Sequence, residues 1–161
     1  TSHANAAGAP AGVDLVVLAD WLAADPRLLR DLHTARIPHL PVRVRDGAGL
    51  VGPLVIPGVT SCLTCADLHR TDRDPAWPAL AAQLREVIGT ADRPTVLATA
   101  ALALGQVQRV ISGVRDGTGT GPTTAPLPAF DTSWEIDVGT GAVRARRWPR
   151  HPLCGCWPGG G

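Results

Sequence analysis

The sequence predicts an α/β fold with a mixed sheet, and three observations carry that expectation. A valine-rich run at residues 13–19, VDLVVLA, is followed by a helix start at Asp25-Pro26 and a second extended segment at 37–44, IPHLPVRV. That order of strand, helix and strand is the signature of parallel pairing. Late in the chain, residues 129–138 and 142–148 alternate around the turn at 139–141, as an antiparallel hairpin does, so the sheet is mixed.

In order, residues 1–12, TSHANAAGAPAG, read as a flexible lead-in of small and polar residues. The run 13–19 is nearly continuous in apolar residues, the pattern of a strand covered on both faces. It ends at Asp20. Pro26 suits a first helical turn, and Leu28, Leu29, Leu32 and Ala35 form one apolar stripe through about residue 36. The two prolines of IPHLPVRV suit a sheet edge or the ends of a strand. Asp46-Gly47 is a hairpin signal, after which residues 50–56 return as a strand.

The stretch 51–65, VGPLVIPGVTSCLTC, runs into a Cys-x-x-Cys pair, and the chain's other two cysteines close it in HPLCGCW. Paired thiols at both ends of a long insert suit a structural zinc ion, since each short turn supplies two ligands of a tetrahedron. On this reading Cys62, Cys65, Cys154 and Cys156 bind one Zn2+ and clamp the ends of residues 66–153. Two disulfides are the rival, but Cys154-Gly-Cys156 is too close for an easy internal bridge and no export signal opens the chain. A redox Cys-x-x-Cys is a third reading, which leaves the second pair unexplained. His69 and His151 lie near the cysteines in sequence and are candidates to support them.

The segment after Cys65, with its charged run 69–74, reads as a solvated loop in which Asp74 caps a helix. In that helix Trp77, Leu80, Ala81, Leu84, Val87 and Ile88 fall at helical spacing before Gly89. Residues 94–113 are apolar nearly all round, which predicts a buried central helix. Residues 114–128 are a loop of glycine, threonine and proline, and 158–161 a tail.

The chain of 161 residues is one domain's worth, with 45% apolar and 18% charged residues. A net charge of +1 gives no overall field for nucleic acid or a membrane surface. The most apolar stretch, 96–107, is too short to span a bilayer, and no signal peptide opens the chain; a cytoplasmic location is the expectation. All fifteen basic residues are arginine, which excludes Schiff-base chemistry and a phosphate-binding Walker lysine. No serine–histidine–acid set or paired carboxylate motif is present, so no catalytic residue is assigned. The absence of methionine, with threonine at position 1, makes a processed chain or a piece of a longer protein the expectation.

Gly-Pro, an apolar strand, Pro-Gly, a threonine and Cys-x-x-Cys at 52–65 resemble the zinc-site lead-in of the ThiF-like, ubiquitin-activating-enzyme superfamily, which closes the zinc with a C-terminal cysteine pair. CADLHRTDRDPAWPALAAQL narrows the resemblance to actinobacterial ThiF-like proteins that accompany thiazole/oxazole-modified microcin synthesis. The resemblance spans residues 13–157. It implies a partial Rossmann-like, ThiF-type fold and a homodimer. It also implies a scaffold that binds a precursor peptide beside a YcaO-type cyclodehydratase. Adenylating members of the superfamily use ATP and Mg2+, and their strand-end aspartate that helps to hold ATP–Mg2+ matches Asp20. Trp21 stands where those members carry asparagine, and no Gly-x-Gly-x-x-Gly precedes residue 13. The glycines at 117–121 do not lead from a strand into a helix and make no phosphate cradle. The resemblance therefore implies a chain that does not adenylate on its own. The alternative is a fragment of an adenylating enzyme whose nucleotide-binding half lies elsewhere.

Overall fold

The computed structural model describes residues 12–19, 21–115 and 130–156. Asp20, most of the lead-in, the glycine-rich segment 116–129 and the tail lie outside the described residues.

The elements run β1 (Val16–Leu18), α1 (Pro26–Thr34), β2 (His39–Arg45), β3 (Ala48–Val51), α2 (Leu63–Arg73), α3 (Trp77–Leu84), α4 (Arg93–Arg115), β4 (Thr132–Asp137) and β5 (Ala142–Arg147). They form one five-stranded sheet in sequence order, β1 to β5. β1 pairs with β2 in parallel and every later pair is antiparallel, so the mixed α/β class holds.

β1 is shorter and less buried than its apolar run predicts. Val16 and Leu18 pack against Leu32 and Ile37 under α1, while Val17 faces outward and is 44% exposed. Among the described residues β1 has one strand neighbour and one covered face, not two, which explains the alternation. α1 begins as expected: Asp25 caps it, its carboxylate accepting the Arg27 N–H at 2.8 Å.

Pro41 lies inside a central strand, not at an edge. It stands where pairing to β1 ends, opposite Leu18, one residue before pairing to β3 begins at Val42, and its carbonyl accepts the Gly52 N–H. The missing N–H therefore falls at a change of partner. Asp46 and Gly47 both take positive φ, 52° and 79°, the two-residue hairpin turn their sequence signals. β3 stops at Val51; Leu54 and Val55 make single bridges to Phe130 and His39.

The two helical expectations after Cys65 need correction. The charged run is not a loop but α2, and the predicted stripe of the next helix shrinks to eight residues in α3. Of that stripe only Ala81 is buried; Val87 and Ile88 are exposed, because α3 packs on α2 and no further layer covers it among the described residues.

α4 is also not buried all round. It lies across β2 and β3, placing Thr95, Thr99, Ala103 and Gln106 inward. Gly49 on β3 permits this approach: a Cβ there would collide with the Thr99 side chain. Its opposite face leaves Leu97, Leu104 and Ile111 exposed. By length and composition alone residues 93–112 suffice to cross a membrane; here one side of the helix packs on the sheet.

Candidate metal centre

The sheet and α2 bring the two cysteine pairs together. Thr60 folds the turn before the first pair, its hydroxyl oxygen accepting the Ile56 N–H at 2.9 Å. Cys62 then stands at the N-cap of α2, so Cys65 sits one turn inside the helix. The second pair arrives from β5 through the buried Trp148 and His151. Asp131, which sequence reasoning passed over, ties the two arms. Its carboxylate accepts the Ser61 N–H at 2.6 Å, and its carbonyl accepts the Trp148 N–H at 2.6 Å. A lone aspartate before a strand carries no signal of its own; its positive φ of 52°, which lets it serve both arms, is visible only in the fold.

The sulfurs of Cys62 and Cys65 are 3.8 Å apart, those of Cys62 and Cys154 3.5 Å, and those of Cys65 and Cys156 3.6 Å. All four lie within 4.8 Å of one another. A disulfide needs about 2.05 Å, so these are not bridges. Four sulfurs at about 2.3 Å from a tetrahedral zinc stand about 3.8 Å apart. The donor set, all thiol, with Cys62 and Cys65 buried and Cys154 and Cys156 half-buried among apolar neighbours such as Val55, Leu63 and Leu29, therefore fits one tetrahedral metal ion.

The electrostatics agree. The hydrogen bond between Cys62 and Cys65 and burial push the Cys62 thiol up, while the same bond holds Cys65 as the thiolate; burial raises Cys156. Without a cation, such close sulfurs cannot all ionise.

The two histidines stand beside the cysteines. His151 is buried; its Nδ1 accepts the Leu153 N–H at 3.1 Å, so Nε2–H donates to Asp72 Oδ2 at 2.8 Å. His69 donates to the Pro149 carbonyl at 2.9 Å, and the two rings meet edge to face with centroids 4.8 Å apart. The backbone N–H of His151 also bonds Cys65, lowering its pKa. α2 thus grips the segment leading to Cys154 by three polar contacts. Near the C-terminus, Arg146 stacks over Trp148 at 5.5 Å, and Arg150 donates to the Val59 carbonyl.

No protein-family model and no curated protein matches the chain. Solved structures do. Escherichia coli MccB with ATP superposes with a TM-score of 0.57 at 18% identity, over 89% of this chain and 39% of MccB. A further crystal structure of Escherichia coli MccB gives 0.59 at 19%, over 91% and 40%. A heterocyclase in complex with substrate and cofactor gives 0.67 at 15%, over 89% and 20%. The microcin C7 biosynthetic enzyme MccB has also been solved with N-formylated MccA, and matches at 0.56 and 17%, over 89% and 40%. At these identities the likeness is one of fold. The chain spans about two fifths of MccB's length and a fifth of the heterocyclase's.

Proposed function

We propose that the chain is the zinc-stabilised part of a ThiF-like scaffold protein that assists azoline or azole formation on ribosomal peptides. Its partners on this reading are a precursor peptide, a YcaO-type cyclodehydratase and a second copy of the chain, in the cytoplasm. The observation that carries it is the four-sulfur cluster, with tetrahedral spacing, inside a fold shared with MccB and a heterocyclase.

Cys62, Cys65, Cys154 and Cys156 would hold the zinc, which supplies a closed four-thiolate crosslink and no open position for a substrate. Around it, Asp131 fixes both arms and the His151–Asp72 pair orients the second. The residues of this chain thus build a rigid platform, and no described residue forms a nucleophile–base pair.

A second reading, part of an adenylating enzyme, is favoured by the likeness to MccB solved with ATP. The full-length protein separates the two. In a reconstituted reaction with peptide and cyclodehydratase, a scaffold raises azoline yield, read as loss of water by mass spectrometry, and gives no ATP–pyrophosphate exchange. Exchange that is abolished by Asp20→Ala would establish the adenylating enzyme instead.

A further inference from the structure

One face of the sheet carries a charge imbalance that the metal centre does not use. By cross-strand register, Arg43 and Arg45 on β2 share a side with Leu50 on β3, Ser133 and Glu135 on β4, and Arg144 and Arg146 on β5. α4 packs on the other side, where Leu40, Val51 and Ala103 form a core. α2 brings Arg70 and Asp67 to the arginine side, and α3 brings Trp77. Between them lies a cavity of about 80 Å³ lined by Arg43, Arg45, Arg70, Asp67, Trp77 and Ser133, with apolar walls from Leu22 and Leu84.

Among the described residues, three guanidiniums line this cavity with a single carboxylate, and that carboxylate is engaged. Asp67 Oδ1 accepts from Arg70 at 2.8 Å and from the Trp77 indole at 3.1 Å. Arg43 donates to the Leu22 carbonyl, a neutral acceptor. Arg45 is 3.6 Å from Asp46, whose side chain is 89% exposed and so screened by water. Glu135 shares the face but stands beyond Leu50 and directly opposite Arg144. Burial, with the charge of Arg70, draws the Arg43 pKa down to about 10, so it stays charged at neutral pH. Burial lowers Arg70 as well, against the pull of Asp67. Withdrawing a guanidinium from water is costly unless an anion meets it.

We propose that this cavity binds a small oxyanion, a carboxylate or phosphate group carried by a ligand, between Arg43, Arg45 and Arg70. Guanidinium forks match the oxygens of both groups and form charge-assisted bonds to them. The Trp77 ring, already stacked on Arg70 at 5.0 Å, holds one fork in place. The site is independent of the four sulfurs and of the scaffold role.

Calorimetric titration of the zinc-loaded chain with inorganic phosphate and with succinate, at constant ionic strength in chloride, tests this. Saturable binding of one anion per chain is expected, weakened about ten-fold or more by Arg43→Gln, as befits loss of a charge-assisted pair. Arg45→Gln, at an exposed position, should weaken it likewise while leaving the circular dichroism spectrum and melting temperature unchanged. Arg147→Gln, on the other strand face, should bind as the parent does. Saturation by succinate alone assigns the site to a carboxylate, and by phosphate alone to a phosphate-bearing ligand. Absence of saturable heat with both anions, or parent-like affinity in the Arg45→Gln protein, overturns the proposal.

Discussion

His151 and Asp72 lie 79 residues apart in sequence and meet at 2.8 Å, imidazole Nε2–H to carboxylate, three residues before Cys154. The pair fixes the segment that delivers Cys154 and Cys156 onto α2, which carries Cys65. Because Asp72 is 61% exposed, the bond itself contributes only about 1 kcal/mol. Its larger effect is expected on how long the second cysteine pair stays in place. Asp72→Ala should lower stability by about that amount and speed zinc transfer to a chromogenic chelator, with stoichiometry unchanged at equilibrium. An unchanged transfer rate would show that the pair does not position the site.

Zinc itself should be present at one ion per chain. In small zinc domains the metal supplies on the order of 10 kcal/mol, comparable to the entire stability of a domain. Cys154→Ser is therefore expected to lose stoichiometric zinc and to expose residues after β5 to proteolysis. Elemental analysis with no zinc in the parent protein, or an intact mass lower by four hydrogens, would overturn the assignment in favour of disulfides.

The elements legible in the sequence were those with local chemistry behind them. Asp25-Pro26 capped a helix, Asp46-Gly47 made a turn, and the cysteine spacing predicted a cluster that the fold assembles. The remaining features depend on neighbours the sequence does not name. α2 looked like a solvated loop because His69, Arg70, Asp72 and Arg73 are polar; they pair with the C-terminal segment and Trp148 across about 80 positions. α4 reads as a buried helix because residues 94–113 are apolar nearly all round, yet among the described residues only one of its faces has a sheet to lie on. Asp131 carried no motif at all, and its two bonds exist only after β4 is placed.

Gly49 tests the seat of α4. Gly49→Ala places a methyl group against the Thr99 side chain, whose hydroxyl donates to the Thr95 carbonyl at 2.6 Å. The helix must lift or the threonine must turn, at a cost of about 1–3 kcal/mol. Urea denaturation should show that loss, and Thr99→Ala in the same chain should recover part of it. Equal stability of Gly49→Ala and the parent would mean that α4 does not lie this close to β3.

His39 gives the fold an acid sensitivity. It is 2% exposed on β2, its Nδ1–H donating to the Ile37 carbonyl at 3.1 Å, and burial holds its pKa below the usual histidine value of 6.5. The unfolded chain takes up the proton at a higher pH than the folded one. Stability therefore falls as pH drops below about 6.5, and goes on falling until the folded imidazole protonates. His39→Gln should flatten the loss of stability between about pH 7 and pH 5, measured by thermal melting at each pH. A variant as acid-sensitive as the parent would place the titrating group elsewhere.

The exposed side of α4 is where self-association is expected. Leu97, Ala101, Leu104, Gln108 and Ile111 recur at alternating spacings of four and three, the seam of a helix that pairs with another helix. Leu97 is 69% and Leu104 56% exposed, with no charged side chain within the seam. The β1 edge is a weaker candidate, since Val16 and Leu18 are already turned under α1 and only Val17 faces out. An exposed, uncharged and largely apolar stripe of this kind marks an interface, and two copies related by a two-fold axis are the simplest occupants. Sedimentation equilibrium should therefore give a dimer that Leu104→Glu dissociates, while Val17→Lys at the sheet edge leaves it intact. A monomer at high concentration would refute self-association. A dimer that Val17→Lys breaks and Leu104→Glu spares would move the interface from the helix to the strand.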